Sequence, residues 1–174
     1  MEPWTKGSKL GNVHAGFDHA LDQVLPPLGP ALQVIGNHRM LFTGHSLGAA
    51  LATLLAGVCK PDGLYTFGSP RVGDAAFVAS LNDVNRHRYV DCCDLVARIP
   101  LEIMGYVHLG DPYYIDRNRH ITFNPQDDFM QGDRLHAEVE YLENYAWKLG
   151  NVAVRDLADH APINYVWAVT ADQP

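Results

Sequence analysis

Residues 40–56 read MLFTGHSLGAALATLLA and combine a short apolar run, the pentapeptide Gly44-His45-Ser46-Leu47-Gly48 and a long series of small and apolar residues. This order predicts a strand, a sharp turn that carries Ser46, and a buried helix, which together form a G-x-S-x-G nucleophile elbow. Such a turn is expected to need glycine on both sides of the serine, because a Cβ at either place would collide with the neighbouring backbone. The first amides of the helix would face negative charge that develops near the serine. Ser46 is therefore the predicted nucleophile.

Strand and helix patterns alternate along the rest of the chain, which predicts an α/β fold with a mostly parallel sheet flanked by helices. The 174 residues are 47% hydrophobic, which is enough to bury the core of one domain over residues 1–174. Predicted strands cover residues 40–43, 63–67 and 88–91, and predicted helices cover residues 17–25, 47–58, 74–81, 135–149 and 161–168. The first helix is expected to stop at Pro26-Pro27.

Two segments in the second half carry expectations about the surface and the core. Apolar residues that recur at spacings of three and four are expected to contact the core: Leu135, Val139, Leu142, Tyr145, Ala146 and Leu149. Residues 110–132 contain two prolines and several Asp and Asn residues, and they are expected to form an irregular surface excursion near the site.

A serine hydroxyl is a weak nucleophile unless a base takes its proton. In the α/β-hydrolase order the acid and then the histidine follow the serine, which leaves five of the nine histidines. His87 and His120 lie in charged or turn-rich segments and His136 lies on the polar side of a helix, so all three are expected in solvent. His108 and His160 are the candidates for the base. His160 precedes a predicted helix, on a loop from which it can reach the serine.

Two aspartates, Asp91 and Asp94, stand at the end of the strand predicted over residues 88–91. Asp94 belongs to the turn at the carboxyl end of that strand, where α/β sheets carry their sites. An acid there can hold an imidazole in one tautomer and stabilise the imidazolium. Asp91 is the alternative; spacing alone does not exclude it, and it is expected to end the strand in solvent. Asp159 adjoins His160 and is not expected to orient it, because sequence neighbours rarely project toward each other.

Five blocks occur in the order GHSLGAALATLLA at 44–56, YTFGSPRVGD at 65–74, CCDLVARIP at 92–100, GYVHLG at 105–110 and DH at 159–160. Together they resemble the class 3 lipase family of α/β-hydrolases, and the similarity covers about residues 14–169. The resemblance implies a serine ester hydrolase, a lipase or carboxylesterase with an acyl-enzyme intermediate, acting on a small ester or an acylglycerol. It implies Ser46 as the nucleophile, Asp94 as the acid and His160 as the base, with His45 as a structural neighbour of the serine.

The front of the chain departs from the family pattern. Class 3 lipases open with strands, a loop that supplies one oxyanion donor, and a lid, whereas only about a dozen residues precede the block that begins at Val13 here. The Leu47 N–H is then the one oxyanion donor that the sequence identifies. Without a lid sequence, soluble or short-chain esters are favoured over emulsified fat. The alternative function is a catalytically impaired lipase-like remnant or fragment that acts as a non-enzymatic interaction module.

The same departure leaves the strand over residues 40–43 as an unpaired edge of an apolar parallel sheet. Three arrangements would cover that edge. The chain is expected to form a homo-oligomer through the exposed edge, to exchange an element with a second copy, or to cover the edge with residues 1–12.

Composition excludes several classes of partner and cofactor. The net charge is −7, from 13 basic and 20 acidic residues without a basic stripe, which argues against a nucleic-acid partner. Three cysteines, two of them adjacent, indicate neither a disulfide framework nor a metal site, and no cofactor is predicted. The N-terminal residues lack the apolar core of a signal peptide, and no run of about 18 apolar residues predicts stable membrane insertion. The cytoplasm is the default expectation, and secretion by a leaderless route stays open.

Overall fold

A computed structural model describes residues 1–7, 10–34, 38–145, 148 and 155–171 of the chain. The elements follow in the order β1 (Glu2–Pro3), β2 (Asn12–Val13), α1 (Ala15–Val34), β3 (Leu41–His45), α2 (Leu47–Val58), β4 (Gly63–Phe67), α3 (Ala75–Ser80), β5 (Arg86–Asp91), β6 (Pro112–Ile115), β7 (Ile121–Phe123), α4 (Asp127–Asn144), α5 (Arg155–Ala158) and α6 (Pro162–Ala171). Two short 3₁₀ turns, Val96–Arg98 and Glu102–Met104, lie between β5 and β6.

The central sheet has five strands in the order β3-β4-β5-β6-β7. The pairings from β3 to β6 are parallel, and β7 runs antiparallel to β6. Because side chains alternate along a strand, Leu64 of β4 faces the core beneath α2, whereas Phe67 faces Tyr165 of α6. The predicted α/β fold, a mostly parallel sheet flanked by helices, is confirmed.

Helix α2 follows β3 at once and anchors the elbow in the core. Its residues Ala49, Ala50 and Leu54 are fully buried, and small side chains at two of these positions let the helix lie close to β3 and β4. Burying one leucine side chain stabilises a fold by about 1.5–3 kcal/mol. The bounds predicted for α2 and β4, residues 47–58 and 63–67, agree with the structure.

The expected stop of the first helix at Pro26-Pro27 is wrong, since α1 continues to Val34. The proline rings inside α1 lie on its exposed side. An interior proline costs a helix about 3 kcal/mol or more. The apolar contacts that offset this cost come from three leucines on the opposite side, which pack against the core: Leu25, Leu28 and Leu32.

Residues 110–132 were expected to be irregular, and this is also wrong. Strands β6 and β7 extend the central sheet there, and α4 begins at Asp127. The run Tyr113-Tyr114-Ile115 favours a strand because aromatic and β-branched side chains pack well on a pleated surface. Pro112 is tolerated because it is the first residue of β6.

The apolar residues of α4 do not contact the core as expected. The structure describes four of the residues predicted to contact the core, and all four are exposed: Leu135, Val139, Leu142 and, just after the helix, Tyr145. The helix instead buries Ala137 against Cys92 and Cys93. A spacing of three and four identifies a face of a helix but not the face that turns inward. The same expectation for Ala146 and Leu149 lies outside the described residues.

Strand β3 lies at one edge of the sheet, with β4 as its neighbour among the described strands. The expected cover by residues 1–12 is wrong for the part that is described, because β1 pairs with β2 and Trp4 packs on Phe77. The other two arrangements, a homo-oligomer and an exchanged element, stay predictions. None of the helices in the described ranges combines the length and the apolar character that crossing a membrane requires.

Candidate active site

Ser46 lies in the turn between β3 and α2 with φ 56° and ψ −125°, a backbone conformation that residues other than glycine seldom adopt. Its N–H donates to the Phe67 carbonyl at 3.0 Å, which ties the turn to β4. Gly44 is required, since a Cβ there would lie 2.3 Å from the Gly48 carbonyl group. The same expectation for Gly48 is wrong, because a Cβ at that position would meet no heavy atom of the described residues within 4 Å beyond its chain neighbours and the backbone of its own helix.

His160 links the serine to a buried carboxylate. Its Nε2 lies 2.8 Å from Ser46 Oγ, and its Nδ1 lies 3.0 Å from each carboxylate oxygen of Asp94. With the proton on Nδ1, the imidazole donates to Asp94 and accepts the serine hydroxyl at Nε2. The structure therefore brings together Ser46, Asp94 and His160, which lie far apart in the sequence.

Asp94 is fixed by three further donors. The Val96 and Ala97 N–H groups donate to Oδ1 at 2.8 and 3.3 Å, and the Tyr165 hydroxyl donates to Oδ2 at 2.5 Å. Burial, and then the charge of Asp94, raises the pKa of Tyr165 well above its ordinary value, so the phenol stays a donor. Tyr165 also accepts the Asp91 N–H at 3.1 Å. Sequence reasoning missed Tyr165; its place in the helix after His160 is the one feature that pointed to it.

Gly68 lets these groups approach one another. It has φ +56°, and a Cβ built there would lie 2.5 Å from Asp94 Oδ2, 3.1 Å from the Tyr165 hydroxyl and 3.2 Å from His160 Nδ1. Any side chain would have to displace the carboxylate from the histidine. Sequence reasoning missed this residue too, although a glycine directly after a predicted strand at a sheet's carboxyl end marks a point of close approach.

Asp91 does not end its strand in solvent, as expected, but is 7% exposed. Its Oδ1 accepts the N–H of Cys92 at 2.7 Å. Burial, and then the nearby Asp159, raises the pKa of Asp91 to about 8. Asp159 is itself paired with Arg155, at 3.0 Å between Nε and Oδ2. The carboxylates of Asp91 and Asp159 therefore contact groups other than His160.

The Asp91→Asn substitution is expected to change how stability depends on pH. An acid with a raised pKa in the folded state binds a proton that the unfolded chain releases above pH ~4, so the free energy of unfolding falls as the pH rises toward 8. Between pH 5 and pH 8 the Asp91 carboxyl lowers the free energy of unfolding by up to about 4 kcal/mol. The neutral amide of the variant does not titrate, so this part of the pH dependence should disappear. Urea unfolding of both proteins at the two pH values measures the difference. If the free energy of unfolding changed equally with pH in the parent and the variant, the burial of an acid at this position would be contradicted.

Two further histidines near the site have hydrogen-bond partners other than the serine. His45 Nε2 lies 2.8 Å from the His160 carbonyl oxygen, and burial lowers the pKa of His45. His108 contacts the Ala97 carbonyl oxygen at 2.8 Å, and burial, then Arg88, lowers the pKa of His108 well below its ordinary value. His45 thus steadies the loop that carries the candidate base.

His87 was expected in solvent, and this is wrong, because its ring is half-buried on the sheet. It stacks on Tyr65 with 4.6 Å between ring centroids, and its Nδ1 lies 3.2 Å from the Tyr113 hydroxyl. His120 and His136 are exposed, as expected.

Leu47 is the first residue of α2 and has a half-exposed side chain. A first helical residue has no acceptor for its N–H inside the helix. The group is therefore available beside the serine, and its role as an oxyanion donor stays a prediction.

Comparison with known proteins places this architecture in a class and then in a family. Solved structures that resemble the chain include the lipase from Rhizopus microsporus var. chinensis, with a TM-score of 0.54 and 32% identity over 59% of this chain and 41% of that one. The mono- and diacylglycerol lipase from Aspergillus oryzae gives a TM-score of 0.55 and 31% identity over 59% of this chain and 42% of that one. The fold is that of the α/β-hydrolases.

Residues 1–104 match the family described as Lipase (class 3), and the chain belongs to that family. The extension of the resemblance to residue 169 stays a prediction. Among relatives, the secreted mono- and diacylglycerol lipase A of Penicillium cyclopium is 35% identical over 112 residues, which are 61% of this chain and 37% of the relative. The lipase of Rhizomucor miehei is 32% identical over 131 residues, 67% of this chain and 35% of the relative. The chain thus spans about a third of the length of the curated relatives it matches, from 30% to 37%.

Proposed function

We propose that the protein is a serine ester hydrolase of the lipase or carboxylesterase type, with Ser46 as nucleophile, His160 as base and Asp94 as acid. One observation carries the proposal: His160 lies 2.8 Å from Ser46 Oγ through Nε2 and 3.0 Å from both Asp94 oxygens through Nδ1. A serine, a base and an orienting acid in this relation activate a hydroxyl for attack on an acyl carbon.

The reaction begins when Ser46 Oγ attacks the ester carbonyl carbon while His160 Nε2 takes the hydroxyl proton. The carbonyl oxygen becomes an oxyanion that the Leu47 N–H faces. His160 then donates its proton to the leaving alkoxide oxygen, so the C–O bond breaks and the acyl group remains on Ser46. Water attacks this acyl-enzyme with His160 again as base, which releases the acid and restores the serine.

Asp94 supplies the electrostatic part of the mechanism. Its carboxylate is fully buried and accepts from both the imidazole and the Tyr165 hydroxyl. The negative charge stabilises the imidazolium that forms in each step and keeps the proton on Nδ1 while Nε2 acts as base. The carboxylate itself need not take up the proton.

The substrate class rests on the relatives, two of which are named as mono- and diacylglycerol lipases. These names support an acylglycerol or another small carboxylic ester as substrate. Leu47 is among the exposed apolar residues. It adjoins the serine and can contact an acyl chain.

Hydrolysis of p-nitrophenyl esters from acetate to palmitate tests the proposal, with the Ser46→Ala variant as the blank. Turnover that requires Ser46 is expected, and the series measures which chain length is preferred. Equal rates for the two folded proteins would contradict the proposal and support the non-enzymatic interaction module instead.

We also propose that the chain forms a homo-oligomer through the open edge of β3. The strand leaves one row of backbone N–H and C=O groups without a strand partner among the described residues, and such edges tend to pair. Light scattering at several concentrations is expected to give more than the mass of one chain, and a monomer at all concentrations would contradict it.

A further inference from the structure

Two thiols lie directly behind the candidate active site. Cys92 and Cys93 precede Asp94 in the sequence, and both are fully buried. Their Sγ atoms are 3.3 Å apart, so the two side chains already point to the same side of the chain. Neither takes part in the reaction proposed above.

The surroundings of this pair connect it to the other half of the site. Cys92 Sγ lies 3.7 Å from Oδ2 of Asp159, the residue before His160. Cys93 Sγ lies within 4.8 Å of carboxylate oxygens of Glu138 and Asp156. The pair therefore lies next to the two segments that carry the acid and the base.

These groups could also be considered as ligands of a metal ion, because both Sγ atoms and an Asp159 oxygen lie within 4.8 Å of one another. However, the Arg155 guanidinium already pairs with Asp159 at 3.0 Å and places a positive charge beside the thiols. A second cation would have to displace it. The arrangement favours chemistry between the two sulfur atoms.

We propose that Cys92 and Cys93 form a site of reversible oxidation, at which hydrogen peroxide converts the adjacent thiols to a disulfide that impairs the candidate active site. One sulfur attacks a peroxide oxygen and becomes a sulfenic acid, with one water released; the second sulfur displaces the hydroxyl as another water. The thiols lose two electrons and two protons in total, and the peroxide is reduced. The effect on activity rests on the proposed function, because it acts through the same triad.

The bridge has to move the backbone that carries Asp94. A disulfide needs an S–S distance of about 2.05 Å and usually a Cα separation of about 4.4–6.8 Å, whereas adjacent Cα atoms are about 3.8 Å apart. Closing the 3.3 Å gap therefore twists the Cys92–Cys93 segment. Asp94 follows immediately, and its N–H bonds to the Asp91 carbonyl at 3.1 Å within the same turn. A shift of about 1 Å in a catalytic group can cost about 100-fold in rate.

Helix α5 offers a route for a small oxidant. It is a single turn, Arg155–Ala158, and buries none of its residues. It is linked to the turn after Asp94 by a backbone hydrogen bond, from Leu95 N–H to the Asp156 carbonyl at 3.3 Å, and by an ion pair of Arg98 with Asp156 at 2.7 Å. Elements that bury few apolar groups open at lower free-energy cost than the core. Opening α5 would expose the side of Cys93 that faces Glu138 and Asp156.

The test uses the full chain with Cys59→Ser, since Cys59 is partly exposed and would react as well. Treatment with hydrogen peroxide is expected to remove the mass of two hydrogen atoms and both free thiols, and dithiothreitol is expected to restore them. Labelling of Ser46 by a fluorophosphonate should slow by about 10- to 100-fold in the bridged form and recover after reduction. The additional substitution Cys93→Ala keeps one thiol and should prevent the loss of two hydrogens.

Two results would overturn the proposal: peroxide that adds oxygen to the peptide containing Cys92 and Cys93 or leaves both thiols free, or a bridged form that labels as fast as the reduced one. If the reduced protein never labels, the proposed function fails and the effect on activity fails with it. The mass measurement still decides independently whether the bridge forms.

Discussion

The Ser46→Ala variant is expected to lose all covalent labelling by a fluorophosphonate and to lose ester hydrolysis by about 10⁶-fold, as serine hydrolases do when the nucleophile is removed. The reagent forms a bond between phosphorus and the serine oxygen, and only an oxygen whose proton is accepted by a base reacts readily. His160 Nε2 is placed for that purpose, 2.8 Å from Ser46 Oγ. Labelling is measured by intact mass, with circular dichroism to establish that the variant is folded.

Ser69→Ala is the matched control. Ser69 is buried in the loop after β4, and its hydroxyl donates to the Pro70 carbonyl at 3.0 Å. It should keep full labelling, because its oxygen has no basic partner. Persistent labelling of Ser46→Ala, or loss of labelling in Ser69→Ala, would refute Ser46 as the nucleophile.

Replacing Asp94 with asparagine is expected to reduce kcat by about 10⁴-fold, the cost of a wrong imidazole tautomer. An amide NH₂ in place of Oδ1 or Oδ2 would face Nδ1 and favour the proton on Nε2. Nε2 could then no longer accept the proton of Ser46. The shape of the side chain is retained, so the loss reports the charge and hydrogen-bonding direction of this one group.

Asp91→Asn is the control for that experiment, since Asp91 is also a buried carboxylate at the end of β5. Its pKa of about 8 means that it is largely neutral below that pH, and its Oδ1 accepts from a backbone N–H that an amide oxygen can also serve. Activity within a few-fold of the parent is expected. The reverse result, a large loss in Asp91→Asn and a small one in Asp94→Asn, would make Asp91 the acid.

Local patterns predicted the part of the fold that local forces determine. The strand, the turn at Ser46 and helix α2 follow from Gly44 and from an apolar helix that is buried on nearly all sides. Spacing alone could not decide which of the later histidines reaches the serine, because long stretches of chain separate them from Ser46. In the structure His108 contacts the Ala97 carbonyl oxygen, and no feature of the sequence predicts that contact.

The predictions that failed depend on contacts between distant segments. Leucines beyond Pro27 keep α1 helical by packing on the core, and α4 turns Ala137 rather than its leucines inward. Asp91 is buried because Tyr165, 74 residues later, lies over its backbone. A local sequence pattern does not show which distant segment will pack against a given face of a helix or strand.

The three candidate catalytic side chains span 114 residues of the chain, and they meet only when β3, the end of β5 and the loop before α6 are all in place. The time at which Ser46 becomes reactive can therefore report when refolding is complete at this site. Circular dichroism would record helices as they form one by one, whereas the labelled fraction would count only molecules in which the last of these segments has docked. A delay of the labelled fraction behind the circular dichroism signal would measure how long the chain has its helices but no reactive serine.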